Sequence, residues 1–219
     1  MSKEIRRIQS YRATSAPLVR EVEGGHVIEG LAIVYGTVSV PLMEWGYDRE
    51  MIAPGAVTPE LLAAADVKMT MWHNRERLLA RCTRGTGTLR LEARADGLWY
   101  SFDVPDTPDG QTALELVRRG DLAGASFTYW SSERNSVRYE DTEDGILRTV
   151  ERIDALYELT LASDPAYPDT TAAAREEPEG LRAWKAEREA AAADELARLK
   201  TEREKEIAAI RRGAAWKSY

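Results

Sequence analysis

The sequence predicts an α+β protein in which antiparallel β-structure dominates, a barrel-like sheet with helical insertions, followed by a C-terminal helical tail. Three observations carry this. Between His26 and Ala162 the apolar residues recur in strand-length runs punctuated by Gly- and Pro-containing turns. Only two short stretches inside that region, opening at Thr58 and at Gln111, carry helix signals, so the βαβ rhythm of a parallel sheet is missing. After Ala174 the composition turns abruptly to Ala, Glu, Arg and Lys.

The elements follow in order. Residues 1–25 mix basic residues with Ser, Thr and Pro17 and show no sustained period, which predicts a flexible N-terminal arm or at most one edge strand. From His26 to Val40 the β-formers Val27, Ile28, Leu31, Ile33 and Val34 read as strand, interrupted at Gly30 and Gly36. Ile52-Ala53-Pro54-Gly55-Ala56 is a turn signal, and Thr58-Pro59 opens a short helix with Thr58 as N-cap. Val67 to Trp72 alternates Val67, Met69 and Met71 against Lys68, Thr70 and Trp72, as a strand with one buried face does. His73 falls at its end. Leu78 to Thr83, Thr88 to Ala93 and Leu98 to Val104, separated by Gly85-Thr86-Gly87 and Ala95-Asp96-Gly97, read as a β-meander.

A helix from Gln111 to Arg119 presents Ala113, Leu114 and Val117 on one stripe and stops at Gly120. A strand through Ser126 comes next, then a polar hairpin region around Glu140 to Gly145, and two more strands, Leu147 to Ile153 and Tyr157 to Ala162. Asp164-Pro165-Ala166-Tyr167-Pro168 closes the globular part, so residues 26–174 form the predicted domain and 175–219 the tail. Leu181 to Arg212 lacks Pro and Gly and carries a narrow apolar stripe of Leu196, Leu199, Ile207 and Ile210. It reads either as a solvated helix or as one that docks on a partner or a second copy.

Composition narrows the function. With 219 residues, 43% hydrophobic and 31% charged, the chain can bury one good core. A formal charge of −7 with no concentrated basic face argues against a general nucleic-acid binder. No apolar run approaches the roughly 18–20 residues a bilayer span needs, and the first twenty residues lack a secretory apolar core, so membrane attachment is not expected and the cytoplasm is. The single cysteine, Cys82, excludes an internal disulfide and is expected to be a packed thiol. His26 and His73 are the only histidines, and no HxH, HExxH or CxxC spacing supports a metal; no cofactor is expected.

One serine in a strand is weak grounds for chemistry. Ser126, in Gly124-Ala125-Ser126-Phe127, gains meaning from Met71-Trp72-His73-Asn74 and Tyr157-Glu158-Leu159-Thr160. A hydroxyl is a poor nucleophile at neutral pH and needs a base within reach. Imidazole, with an unperturbed pKa of about 6.5, can take and return the proton. A carboxylate on the other ring nitrogen fixes the tautomer. The order His73, Ser126, then an acid differs from the three familiar triad orders, and Thr128 breaks a GxSxG elbow, which argues against an α/β-hydrolase. Asp154 and Glu158 are both candidates for the acid, since strand alternation puts them on one face.

Glu29-Gly30-Leu31-Ala32, Ile52-Ala53-Pro54-Gly55-Ala56, His73-Asn74, Gly85-Thr86-Gly87-Thr88-Leu89-Arg90-Leu91, Asp96-Gly97-Leu98, Pro105-Asp106-Thr107, Gly120-Asp121-Leu122 running into Ser126-Phe127, and Pro165-Ala166-Tyr167-Pro168-Asp169-Thr170 stand in order along the chain. In these the sequence resembles the prohead maturation proteases of tailed, HK97-like bacteriophages, from about Glu29 to Arg175. The resemblance implies a fold similar to the herpesvirus assemblins, with His73 at the family histidine, Ser126 at the nucleophile and Glu158 at the acidic position. An assemblin-like second histidine would fall on His26, ahead of the first core strand.

Two positions depart from the family pattern, Asn74 where aspartate is common and Thr128 where glycine is common; the second is expected to narrow the substrate groove or alter the oxyanion geometry. The implied activity is a serine endopeptidase enclosed in the prohead within the host cytoplasm. It would cleave scaffold or the delta segment of the major capsid protein, and then itself, with self-association as a further expectation. The rival reading is a structural scaffold, or a protease–scaffold fusion, that keeps the protease fold. Retention of both Ser126 and His73 argues against a chain without turnover.

Overall fold

The computed structural model describes residues 6–8, 16–39, 41–42, 46–163 and 179–215. The motif from Pro165 to Thr170 and the break at Pro178 lie outside these residues, as do the side chains of Ile207 and Ile210. The chain divides into two compact units, Met1–Glu176 and Glu177–Tyr219.

In the first unit the elements run β1 (Arg6–Ile8), β2 (Leu18–Val22), β3 (Gly25–Val34), β4 (Arg49–Ile52), α1 (Pro59–Ala64), β5 (Asp66–Met71), β6 (Asn74–Thr83), β7 (Thr86–Gly87) and β8 (Leu89–Ala93). They continue with β9 (Gly97–Asp103), α2 (Pro108–Arg119), β10 (Gly124–Trp130), β11 (Val137–Thr142), β12 (Gly145–Val150) and β13 (Ala155–Ala162). Three sheets form, ordered β1-β10-β13-β5-β6-β7, β11-β12-β4 and β2-β3-β9-β8. The predicted class, α+β with mostly antiparallel strands, is the observed one. The sheet does not close into a barrel, and among the described strands β13 with β5 and β12 with β4 pair in parallel.

Local chemistry explains most boundaries. Thr58 caps α1 by accepting from the Leu61 N–H at 3.2 Å, with Pro59 in the first turn, as predicted. Thr107 and Pro108 do the same for α2, three residues earlier than the sequence reading places its start. Gly120 ends α2 in a left-handed conformation, φ 78°, which a side chain would strain, and the Asp121 and Leu122 amides close on Leu116 O. This stop turns the chain directly into β10. The predicted meander is divided between sheets: β7 pairs with β6, while β8 pairs with β9, which in turn pairs with β3. The stretch read as an arm contributes β1 and β2, because partners distant in sequence hold them.

One contiguous core fills the unit. Met69, Met71, Phe127, Leu159 and Leu161 of the six-stranded sheet meet Ile28, Ile33, Tyr100 and Phe102 of the four-stranded one, with Ala113 and Val117 of α2 against it. Cys82 is a buried free thiol within this core. In the second unit, α3 (Glu179–Ala215) is one long helix, and Arg198 pairs along it with Glu195 and Glu202. Leu196 and Leu199 are exposed on it.

Candidate active site

The centre of the six-stranded sheet places three strands side by side. β10 and β13 pair antiparallel with Ser126 opposite Thr160 and Thr128 opposite Glu158; β13 and β5 pair parallel with Thr160 beside Thr70. Opposed residues share a sheet face, so Thr70, Ser126, Thr128, Glu158 and Thr160 make a polar patch whose members are all buried. The other face of the same strands supplies Met69, Phe127 and Leu159 to the core. The alternation of Val67 to Trp72 therefore holds, except that Thr70 on the polar side is fully buried under the site.

His73 reaches this patch from the tip of the β5–β6 hairpin. Met71 pairs with Asn74, leaving Trp72 and His73 as a two-residue turn, and both lie at positive φ, 53° and 55°. That is the geometry of a type I′ turn, ordinarily given to Asn-Gly. Two bulkier residues hold it at a cost of roughly 1–3 kcal/mol each, which the surroundings must offset. They do so from several sides. The Trp72 N–H donates to Leu161 O at 3.0 Å and the His73 N–H to the Thr160 hydroxyl at 3.0 Å, both on β13. The Arg77 guanidinium stacks 4.7 Å from the Trp72 ring centroid and is itself anchored on Asp109 of α2. Asn74 accepts from the Glu76 N–H at 2.9 Å, a bond that an aspartate oxygen would accept equally, which makes that departure from the family pattern conservative.

With its backbone so fixed, the imidazole lies between the other two groups. Nδ1 is 2.8 Å from Glu158 Oε2 and Nε2 is 3.0 Å from Ser126 Oγ. The Glu158 carboxylate is held in turn: Thr70 donates to Oε1 at 3.0 Å and Thr128 to Oε2 at 3.2 Å. Burial pushes the Glu158 carboxyl up, but the hydrogen bond and charge of His73, with the two threonine hydroxyls, outweigh it and hold the group below its ordinary value. It is an anion at neutral pH. A hydroxyl beside an imidazole, backed by an oriented carboxylate, is an arrangement for proton transfer from serine to histidine.

The structure brings together His73, Ser126 and Glu158 and separates the other candidates. Asp154 precedes β13 and accepts from the Ser132 N–H, the Ser136 hydroxyl and Arg152 Nε, each at 2.7 Å. The register shift between Thr128 and Tyr129 skips Tyr157, so simple alternation between 154 and 158 fails there. His26 lies on β3, in the four-stranded sheet. Thr128 holds the carboxylate, a role separate from the narrowed groove or altered oxyanion geometry expected of a threonine at this position. Thr70 and Thr160 carry no signal in the sequence, since threonine is an ordinary strand residue. Among the described residues no cluster of His, Cys, Asp and Glu could hold a metal ion, and no helix is long and apolar enough to cross a membrane.

A strand-borne serine, a turn-borne histidine and a buried glutamate, joined by hydrogen bonds, have the arrangement that a serine-hydrolase site requires. Residues 15–181 match the family described as caudovirus prohead serine protease. The match covers most of the chain, and the protein belongs to this family. It is a serine peptidase of phage capsid maturation, a kind of enzyme that acts on capsid or scaffold protein inside the procapsid of the host cell. No curated protein and no solved structure gave a match.

Proposed function

We propose that this chain is an endopeptidase that cuts scaffold protein, or the delta segment of the major capsid protein, and then itself, with Ser126 as nucleophile, His73 as base and Glu158 as the orienting carboxylate. The observation that carries the reading is the continuous chain Glu158–His73–Ser126 with separations of 2.8 and 3.0 Å. Ser126 Oγ attacks the scissile carbonyl as His73 Nε2 takes its proton; the imidazolium then protonates the leaving amine. Water, activated by the same imidazole, hydrolyses the acyl-enzyme and returns Ser126 as a free hydroxyl. Glu158 keeps the Nδ1 proton in place and stabilises the imidazolium without itself taking the proton. Residues 26–174 form the catalytic domain in this reading, and the helical segment 175–219 carries it into the assembling shell.

The test is processing of scaffold or capsid precursor followed by mass spectrometry, which reads activity and the cut site together. Ser126→Ala and His73→Ala each lose turnover on the order of 10⁶-fold. Glu158→Gln loses about 10⁴-fold, since shape survives and the charge does not. Asp154→Asn stays near the parent rate. Processing by Ser126→Ala at the parent rate would remove the reading, and full activity in Glu158→Gln would remove the glutamate from it.

A further inference from the structure

We propose that β1, residues Arg6–Ile8, occupies the substrate track of this enzyme and competes with substrate for it; the proposal rests on Ser126 being the nucleophile. A peptide that presents its carbonyl to a strand-borne serine has to lie extended beside that strand, and the free edge of a sheet offers the N–H and C=O groups to hold it there. β10 has two edges. One is paired with β13 along its whole length, from Gly124 opposite Ala162 to Trp130 opposite Ala155. The other edge, the only one that a peptide could use, takes β1.

The register makes β1 peptide-like. It runs antiparallel to β10 with Arg6 opposite Tyr129, Arg7 opposite Thr128 and Ile8 opposite Phe127, so its ladder ends one residue short of the level of Ser126. An incoming peptide that used those backbone groups would need the same positions. Ser126 is 0% exposed as the chain stands, so something must give way before a carbonyl reaches its Oγ. A three-residue edge strand has few ladder bonds to lose. Its displacement exposes β10 as an edge strand and leaves the β10–β13–β5 pairings that carry the site untouched. An enzyme closed by its own N-terminal segment would then open where a substrate peptide is concentrated enough to exchange for it.

The experiment compares the full chain with the full chain carrying Arg6→Pro, Arg7→Pro and Ile8→Pro, because proline has no N–H to give a ladder. The probe is a small fluorophosphonate, and the rate of its attachment to Ser126 is followed by mass spectrometry. If the open state is a minor one, of about a tenth or less, the triple variant labels on the order of tenfold faster. A synthetic peptide of residues 1–15, added to the variant, slows labelling saturably, and the same peptide with the three prolines does not. Equal labelling rates, or no effect of the peptide, overturn the proposal. So does a large fall in the melting temperature of the variant, which makes β1 a structural strand. Absence of labelling at Ser126 in both proteins overturns the nucleophile assignment itself, and this proposal with it.

Discussion

At the scale of single residues, Glu158 shows how a buried carboxylate stays charged. Each oxygen accepts from a threonine, and one also meets imidazole, so the anion exchanges water for three fixed partners. The sign of the resulting pH dependence follows from the depressed pKa. The stability that Glu158 contributes is fully present above its ordinary carboxyl pKa and is lost as pH falls through its lower folded value. The double variant Thr70→Val, Thr128→Val removes two hydrogen bonds to a charged group, each worth about 2 kcal/mol. Melting curves between neutral and acid pH should therefore show the deficit of the variant largest at neutral pH and narrowing as pH falls through the folded value. A deficit independent of pH would mean that the hydroxyls serve packing and leave the carboxylate alone.

At the scale of elements, the β5–β6 turn and α3 make opposite points. The turn is strained and braced from β13 and from α2 through Arg77, so its tip is a rigid mount for an imidazole. The helix α3 displays Leu196 and Leu199, more than half exposed, among mixed charges. If residues 175–219 deliver the enzyme to the shell, Leu196→Glu with Leu199→Glu should lower the amount of enzyme recovered in purified proheads severalfold, while leaving peptidase rate and melting temperature unchanged. Normal recovery would end the delivery idea. A loss of peptidase rate would tie the helix to catalysis.

At the scale of the whole molecule, a second polar cluster joins parts of the chain that the site does not. Arg148 of β12 is fully buried and donates to Glu50 of β4, to the Tyr129 hydroxyl of β10 at 2.9 Å and to Glu133 at 2.7 Å; Tyr47 also donates to Glu50. Burial alone disfavours the cation, but Tyr129, Glu50, Tyr47 and Glu133 around it reverse that, and Arg148 stays charged. Tyr129 is three residues from Ser126, so the cluster fixes the far end of β10 to the small sheet. Arg148→Met leaves the Glu50 carboxylate buried without its cation and should cost about 3–5 kcal/mol, which is roughly 10 °C of melting temperature in a chain of this size. Adding Glu50→Gln should recover most of that loss. If the double variant is no more stable than the single one, the ion pair is not what links the two sheets.

The sequence by itself determined the local events and, through ordered short motifs, the family. Caps at Thr58 and Gly120, the buried stripe of α2, the strand through Ser126 and the position of His73 at a strand end all follow from side-chain chemistry acting over a few residues. The family pattern singled out the same three residues that lie within hydrogen-bond reach of one another. Tertiary structure decided what depends on partners far apart in the chain. Pairing of β13 with both β10 and β5 turned three ordinary threonines into the support of the site, and a bulge at Tyr157 separated Asp154 from Glu158 where alternation could not. The open edge left by that pairing is where β1 came to lie, some 120 residues away from its partner in sequence. Its strand character comes from the ladder it completes, since backbone groups along a sheet edge bind whatever extended segment reaches them, and residues 6–8 carry no periodicity of their own.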